Sequence, residues 1–305
     1  MRETSTHNFY VADYMIPGKE HIQSHVNHLV RVNHEEKITF VPINKNGSTH
    51  LRSFINFPHN KEEDFPGFFD LNDRCVDNYK KAMEVCTRDD YVNLIILREP
   101  ASRLASSITH DIVVHAQNRN DPLPFKGQVN LKRVADMFLE DFKSFDLGKF
   151  LLSEHEAGLV IPPPEECAYH GRIQFNEAVV EILNLPNTIV FHVDDDLSDN
   201  ILYFLEVHRP HLYKKIIDEN LQKWIEHHRG YEEEPTREQI HEILSKTQLN
   251  TRHSNSYEFI YYTLMPYLTD PRIQPNKIYD DYQKFYRIDI EMYRRFDSSR
   301  YFRRP

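Results

Sequence analysis

A lysine, a glycine and two hydroxyl residues end an apolar run early in the chain. The run is followed by N-K-N-G-S-T, which contains Lys45, Gly47, Ser48 and Thr49. Glycine allows close backbone approach to a ligand, the hydroxyls donate hydrogen bonds or cap a helix, and lysine supplies a mobile charge. Helical spacing resumes directly afterwards, which would turn free N–H groups and the helix dipole toward the loop. The pattern predicts a phosphate or sulfate site; the alternative is an Asn-Gly turn with a Ser/Thr cap.

A second basic motif follows the next apolar run, in L-R-E-P-A-S-R-L-A-S-S. Arg98 ends that run, Pro100 suits the first turn of a helix, and Ser106 follows eight residues after Arg98. Arg103 lies between them, and the sequence leaves open whether it contacts a ligand or forms a local ion pair.

Three short apolar segments predict the strands that position these motifs: 38–43, 91–97 and 188–193. The helical patterns that alternate with these strands or follow them are 48–57, 101–116, 131–145, 173–183, 201–213 and 277–296. This alternation indicates an α/β protein with a parallel sheet covered by helices on both faces. The carboxyl ends of parallel strands meet at one edge, where ligands bind. We therefore expect Lys45 and Arg98 to lie together, which suits a ligand with two separated phosphates.

The chain is predicted to form a single domain, 1–305, because it contains no internal repeat and no low-complexity linker. Segments 118–127 and 161–166 carry proline and charge and are predicted to be loops. Residues 1–36 form a polar, histidine-rich extension, in which three histidines share one helical face. No cysteine or acidic residue completes a metal site there, so we interpret this face as solvated and predict no metal.

Composition and charge exclude several classes of protein. A chain of 305 residues can bury a substantial core, and its net charge of -10 argues against nucleic-acid binding. Three widely spaced cysteines without a C-x-x-C motif favour a reducing compartment. The N-terminus lacks the regions of a signal peptide, and no apolar run reaches the roughly 18 residues of a membrane span. We therefore expect a soluble, cytoplasmic protein, whose oligomeric state the sequence does not indicate.

Both basic motifs resemble those of sulfotransferases. FVPINKNGSTHLRSF is similar to the family's 5'-phosphosulfate loop, P-K-x-G-[ST]-[ST], although Asn44 stands where the family has proline. LREPASRLASS is similar to its 3'-phosphate motif, and its R-E-P-x-x-R-L-x-S form is nearest to the carbohydrate-type members. Weaker similarities are NTRHSNS at 250–256 and the tyrosine-rich segment 278–296, which resembles the family's closing helix.

The resemblance implies a P-loop-like sulfotransferase fold with a donor-binding core at 38–116. The implied donor is 3'-phosphoadenosine-5'-phosphosulfate (PAPS), and the acceptor is a hydroxyl of a saccharide or small metabolite, with no metal required. The implied donor-binding residues are Lys45, Asn46, Gly47, Ser48, Thr49, Arg98 and Ser106. Among them, Lys45 would stabilise charge on the leaving oxygen, and Arg98 with Ser106 would bind the 3'-phosphate. Residues 252–255 are candidates for the adenine pocket.

The family's general base, a histidine or glutamate, lies between the two phosphate motifs. Here the segment FPHNKEEDFPG supplies the candidates His59, Glu62, Glu63 and Asp64. Histidine has a suitable unperturbed pKa, whereas a glutamate needs partial burial to raise its pKa. His110 and His115, on the helix after the second motif, are more distant candidates. The alternative is that the whole segment is a charged, solvated loop.

Two other functions remain open. A P-loop nucleotide kinase-like transferase would use the same anion chemistry, but it needs magnesium ligands and a Walker loop. No magnesium ligands are visible in the sequence. The lysine here precedes the motif's only glycine, so the loop is not a Walker loop either. A non-catalytic module on the same fold would bind a nucleotide or a sulfated glycan without needing a base. Acceptor-dependent turnover separates an enzyme from such a module.

Overall fold

The computed structural model describes residues 30–41, 43, 45–47, 51, 83–117, 161, 173–175, 177–193, 196–227, 235–246, 255–273 and 277–305. Within these ranges the chain forms a four-stranded sheet flanked by helices. The prediction of an α/β protein is therefore confirmed at the level of fold class.

The sheet contains β1 (Arg31–Asn33), β2 (Ile38–Val41), β3 (Val92–Leu97) and β4 (Thr188–His192), in that spatial order. Strand β3 is parallel to β2 and to β4, as predicted. Strand β1 is antiparallel to β2, so the sheet is mixed and the prediction of a parallel sheet needs this correction. The polar segment 1–36 was not expected to contribute a strand; a turn through Lys37, at φ 54°, folds β1 back onto β2.

Strand β3 is apolar from Leu94 to Leu97 because both of its faces are covered. Leu94 and Ile96 belong to the hydrophobic cluster that also contains residues of the two helices after β4. Ile95 and Leu97 belong to the opposite cluster, with residues of the helix before β4 and of the C-terminal segment. Successive side chains of a strand point to opposite faces, and burial on both faces yields a continuous apolar run.

The helices are α1 (Pro100–Gln117), α2 (Glu177–Leu183), α3 (Leu197–His208), α4 (Pro210–His227), α5 (Arg237–Ser245), α6 (Asn255–Thr269), α7 (Lys277–Phe285) and α8 (Arg287–Arg295), followed by a 3₁₀ turn at Ser298–Arg300. A third hydrophobic cluster joins α1 to α6, α7 and α8. Among the helices of the described ranges, none has both the length and the apolar character needed to cross a membrane.

Several predicted helices differ from the observed ones for local reasons. Segment 201–213 was predicted as one helix, but α3 ends at His208 and Pro210 begins α4. Proline cannot continue a helix, yet it suits the first turn of the next one. Segment 277–296 divides into α7 and α8 at Tyr286, whose φ and ψ are -105° and 18°. Helices α5 and α6 were not predicted. The predicted helices 48–57 and 131–145 and the predicted loops 118–127 and 161–166 lie outside the described residues, apart from Leu51 and Ile161.

Candidate functional site

The loop after β2 has an unusual backbone. Lys45 and Gly47 both have positive φ, at 65° and 69°, a conformation that is uncommon for residues other than glycine and is often found at functional sites. The amide of Leu51 donates to the carbonyl oxygen of Gly47 at 3.2 Å, the spacing of an α-helical hydrogen bond. The described part of this segment therefore follows the predicted order of strand, tight loop and helical turn.

Gly47 is required by close packing as well as by its backbone angle. A Cβ atom at this position would lie 2.8 Å from Cδ2 of Leu197, at the start of α3. The loop is thus held against the helix that follows β4, and any larger residue would displace one of them.

Asn46, between these two residues, is fully buried and holds the loop to the next strand. Its Nδ2 donates to the carbonyl oxygen of Ile96 at 2.9 Å and to Oε1 of Gln174 at 2.8 Å. Its backbone N–H donates to the carbonyl oxygen of Ile43 at 3.2 Å. Asn46 was predicted to bind the donor, and that role stays a prediction; in the structure the turn uses its backbone amide, and its side chain positions the loop.

Arg98, at the end of β3, connects the two predicted motifs. Its Nη1 donates to the carbonyl oxygen of Lys45 at 3.0 Å. Its Nε donates to Oγ of Ser102 at 2.9 Å. Because β2 and β3 are parallel neighbours, their carboxyl ends bring the lysine loop and the arginine together, as the sequence predicted.

Ser106, on α1, was predicted to bind the 3'-phosphate together with Arg98. Ser106 is buried on this helix, but the hydroxyl that accepts from Arg98 belongs to Ser102, four residues earlier. Ser102 also exchanges a hydrogen bond with the hydroxyl of Tyr261, on α6, at 2.7 Å. The i, i+4 spacing of Arg98 and Ser102 was a signal that the sequence offered, whereas nothing local indicated Tyr261.

Gln174 links both motifs, although no local sequence pattern indicated this role. Its side-chain Nε2 donates to the carbonyl oxygen of Arg98 at 2.9 Å, and its Oε1 accepts from Asn46. Its backbone N–H donates to both carboxylate oxygens of Asp289, at 2.8 and 3.0 Å. A residue between the motifs and β4 therefore aligns the two loops and ties them to α8.

Arg103 forms a buried ion pair, which answers the question that the sequence left open. Its Nη2 lies 3.0 Å from Oδ2 of Asp289, and the two side chains are only 2% and 0% exposed. Burial raises the pKa of Asp289, while Arg103 and the backbone amides of Phe175 and Gln174 oppose that rise. All these partners donate hydrogens, so the ionised carboxylate is the form that fits this position. Arg103 is thus part of the scaffold beneath the site.

The start of α1 is capped by an acidic side chain. Oε1 of Glu99 accepts from the amide of Ala101 at 3.0 Å, and Oε2 accepts from the amide of Ser102 at 2.6 Å. A carboxylate is favourable at the N-terminus of a helix. Because Glu99 occupies these amides, an anion beside Arg98 must be held by side-chain donors.

Several predicted residues are not part of this geometry. Ser48, Thr49, His59, Glu62, Glu63 and Asp64 lie outside the described residues, as does the histidine-rich face in 1–36. Residues 252–254 also lie outside them, and Asn255 begins α6. Their predicted roles stay predictions.

Within the described ranges, no group of three or more His, Cys, Asp and Glu side chains is arranged to hold a metal ion. Comparison of the chain with protein-family models, curated proteins and solved structures finds no match. The function of the chain is therefore inferred from its own residues.

Proposed function

We propose that the chain is a PAPS-dependent sulfotransferase with a P-loop-like sulfotransferase fold. It transfers a sulfuryl group to a hydroxyl acceptor, which we take to be a saccharide or a small metabolite. The observation that carries the proposal is the 3.0 Å hydrogen bond from Arg98 to the carbonyl oxygen of Lys45. This bond holds together the two segments that resemble the 5'-phosphosulfate loop and the 3'-phosphate motif.

The arrangement of cations supports a ligand with two separated phosphates. The net charge of the chain is -10, yet Lys45 and Arg98 stand at the same edge of the sheet. A local positive centre attracts an anion regardless of net charge. The Lys45 side chain would follow the phosphosulfate bridge, while the guanidinium of Arg98 offers fixed donors to a phosphate.

In the proposed reaction, the acceptor oxygen forms a bond to sulfur as the bond between sulfur and the bridging oxygen breaks. Lys45 stabilises negative charge on that bridging oxygen, and 3',5'-bisphosphoadenosine leaves. The acceptor proton passes to a general base, for which His59, Glu62 and Glu63 are the candidates. Such a transfer depends on in-line positioning and on electrostatic stabilisation, and we propose that it needs no metal.

Sulfate transfer from PAPS to a panel of hydroxyl acceptors tests this function. We expect Lys45→Ala to lower turnover by about 10²–10³-fold, the usual effect of removing one donor to developing charge. The matched control is Lys37→Ala, because Lys37 also has positive φ, at 54°, but lies at the other end of β2. It should leave turnover within about twofold of the unmodified chain, because Lys37 is half-buried and pairs with Asp90 away from the site.

The readout also separates the alternatives. Tight nucleotide binding without transfer to any acceptor would favour the non-catalytic module. Transfer of a phosphoryl group that depends on magnesium would favour the kinase-like enzyme.

A further inference from the structure

An arginine, a serine and a tyrosine form a continuous hydrogen-bonded chain beside the site. Nε of Arg98 donates to Oγ of Ser102 at 2.9 Å, and this oxygen lies 2.7 Å from the hydroxyl oxygen of Tyr261. The Arg98 guanidinium also lies over the Tyr261 ring, 5.9 Å from its centroid. Tyr261 comes from α6, so this helix contributes to the site from a distant part of the sequence.

Not every donor hydrogen of this hydrogen-bonded chain of three residues has an acceptor. Oγ of Ser102 already accepts from Arg98, and the serine and tyrosine hydroxyls together carry two hydrogens. One of these hydrogens lies between the two oxygens. The other has no acceptor within the described residues, and the same is true of Nη2 of Arg98.

The two hydroxyls of this chain differ in burial. Ser102 is only 7% exposed, whereas Tyr261 is half-buried. Either hydroxyl can donate in this pair; when the more buried Ser102 donates, the hydroxyl of Tyr261 keeps the remaining hydrogen. Polarisation by the guanidinium strengthens each successive donor in such a chain.

These donors suit an anion, and no backbone amide at the start of α1 competes for it. The amides of Ala101 and Ser102 are bound by Glu99, whose carboxylate is thereby directed at the helix rather than left unpaired. A phosphate monoester is a dianion whose oxygens accept several hydrogen bonds, and bonds from a charged donor are the stronger kind.

We infer that Tyr261, oriented by Ser102, is a binding residue for a phosphate monoester held beside Arg98. The identity of the ligand rests on the proposed function, in which this group is the 3'-phosphate of the sulfate donor. Tyr261 then helps to distinguish a nucleotide with a 3'-phosphate from one without it.

Calorimetric titration with 3',5'-bisphosphoadenosine and with 5'-AMP, which lacks the 3'-phosphate, tests the inference. Tyr261→Phe keeps the ring and removes the hydroxyl. We expect it to weaken bisphosphate binding by about 10–100-fold, the range for a hydrogen bond to a charged group, and to leave 5'-AMP binding unchanged. Ser102→Ala removes the partner that orients both Tyr261 and Nε of Arg98, so it should also weaken bisphosphate binding.

The matched control is Tyr262→Phe, because this neighbouring tyrosine is 69% exposed and its ring meets the ring of Tyr261 edge to face. It should bind both nucleotides as the unmodified chain does. If the unmodified chain prefers the bisphosphate and the Tyr261→Phe variant binds it with an affinity within twofold of the unmodified chain's, this inference is overturned. The proposed function would still stand. An unmodified chain that binds the two nucleotides equally, or binds neither, would overturn both.

Discussion

Replacing Asp289 with asparagine removes the carboxylate that pairs with the buried guanidinium of Arg103. The shape of the side chain is kept, but Arg103, whose side chain is 2% exposed, loses its ionised partner. The new amide group replaces one of the two carboxylate oxygens. At the position of Oδ2 its hydrogens would face the donors Arg103 and Gln174, and at the position of Oδ1 they would face the donors Gln174 and Phe175. The substitution therefore combines a lost charge with a clash between donors.

Breaking a buried ion pair from one side costs about 3–5 kcal/mol. Backbone amides that lose their acceptor would add about 1–3 kcal/mol each, but these costs overlap. We expect Asp289→Asn to lower the free energy of unfolding by about 4 kcal/mol, a large part of the roughly 5–15 kcal/mol that stabilises a typical domain.

The assay is urea denaturation followed by the fluorescence of Trp224, the single tryptophan. The matched control is Glu291→Gln, which makes the same chemical change on the same helix. Glu291 pairs with Arg287, whose side chain is 70% exposed, so this substitution should cost no more than about 0.5 kcal/mol. If Asp289→Asn lowers the free energy of unfolding by less than 1 kcal/mol, the ion pair does not anchor the loops as described.

Three further predictions concern the loop, a helix cap and a cysteine. Gly47→Ala should destabilise the chain by about 1–3 kcal/mol, since the residue has positive φ and its new Cβ meets Leu197. In a double-mutant cycle measured by denaturation midpoints, adding Leu197→Ala should recover the part of this loss that comes from the steric clash. Thr236→Ala removes the capping box of α5 and should cost about 0.5–2 kcal/mol in urea denaturation. Burial raises the pKa of the Cys86 thiol to about 11. With the other two cysteines replaced by serine, labelling of Cys86 by a maleimide at pH 8 should therefore be slow until urea unfolds the chain. The stability that this neutral thiol contributes is lost as pH rises from 9.0, its ordinary pKa, toward about 11. Fast labelling of the folded chain at pH 8 would contradict the burial of Cys86.

The central strands and the first helix of the site could be predicted from the sequence because their signals are local. Strands β2, β3 and β4 are continuous apolar runs that end in polar residues, and α1 begins at a proline. The adjacency of Lys45 and Arg98 follows from parallel pairing alone. Strand β1 was missed because it has only three residues, and its pairing depends on a turn through Lys37.

The residues that align the site could not be predicted, because their partners are remote in the chain. Gln174 lies 128 residues from Asn46 and 115 from Asp289. Tyr261 lies 159 residues from Ser102. Each is an ordinary polar residue in its local pattern, and only the packing of α6 and α8 against α1 gives it a role.

The two-phosphate site is the central claim, and calorimetric titration of 3',5'-bisphosphoadenosine, with ADP as the control ligand and no metal added, tests it most directly. We predict binding that favours the bisphosphate by at least about tenfold, as expected for one charge-assisted contact. Arg98→Ala should abolish this preference, whereas Arg88→Ala, at the opposite end of β3 and paired with Asp90 on the surface, should preserve it. Equal affinity for the two nucleotides, or no binding of either, would contradict the account.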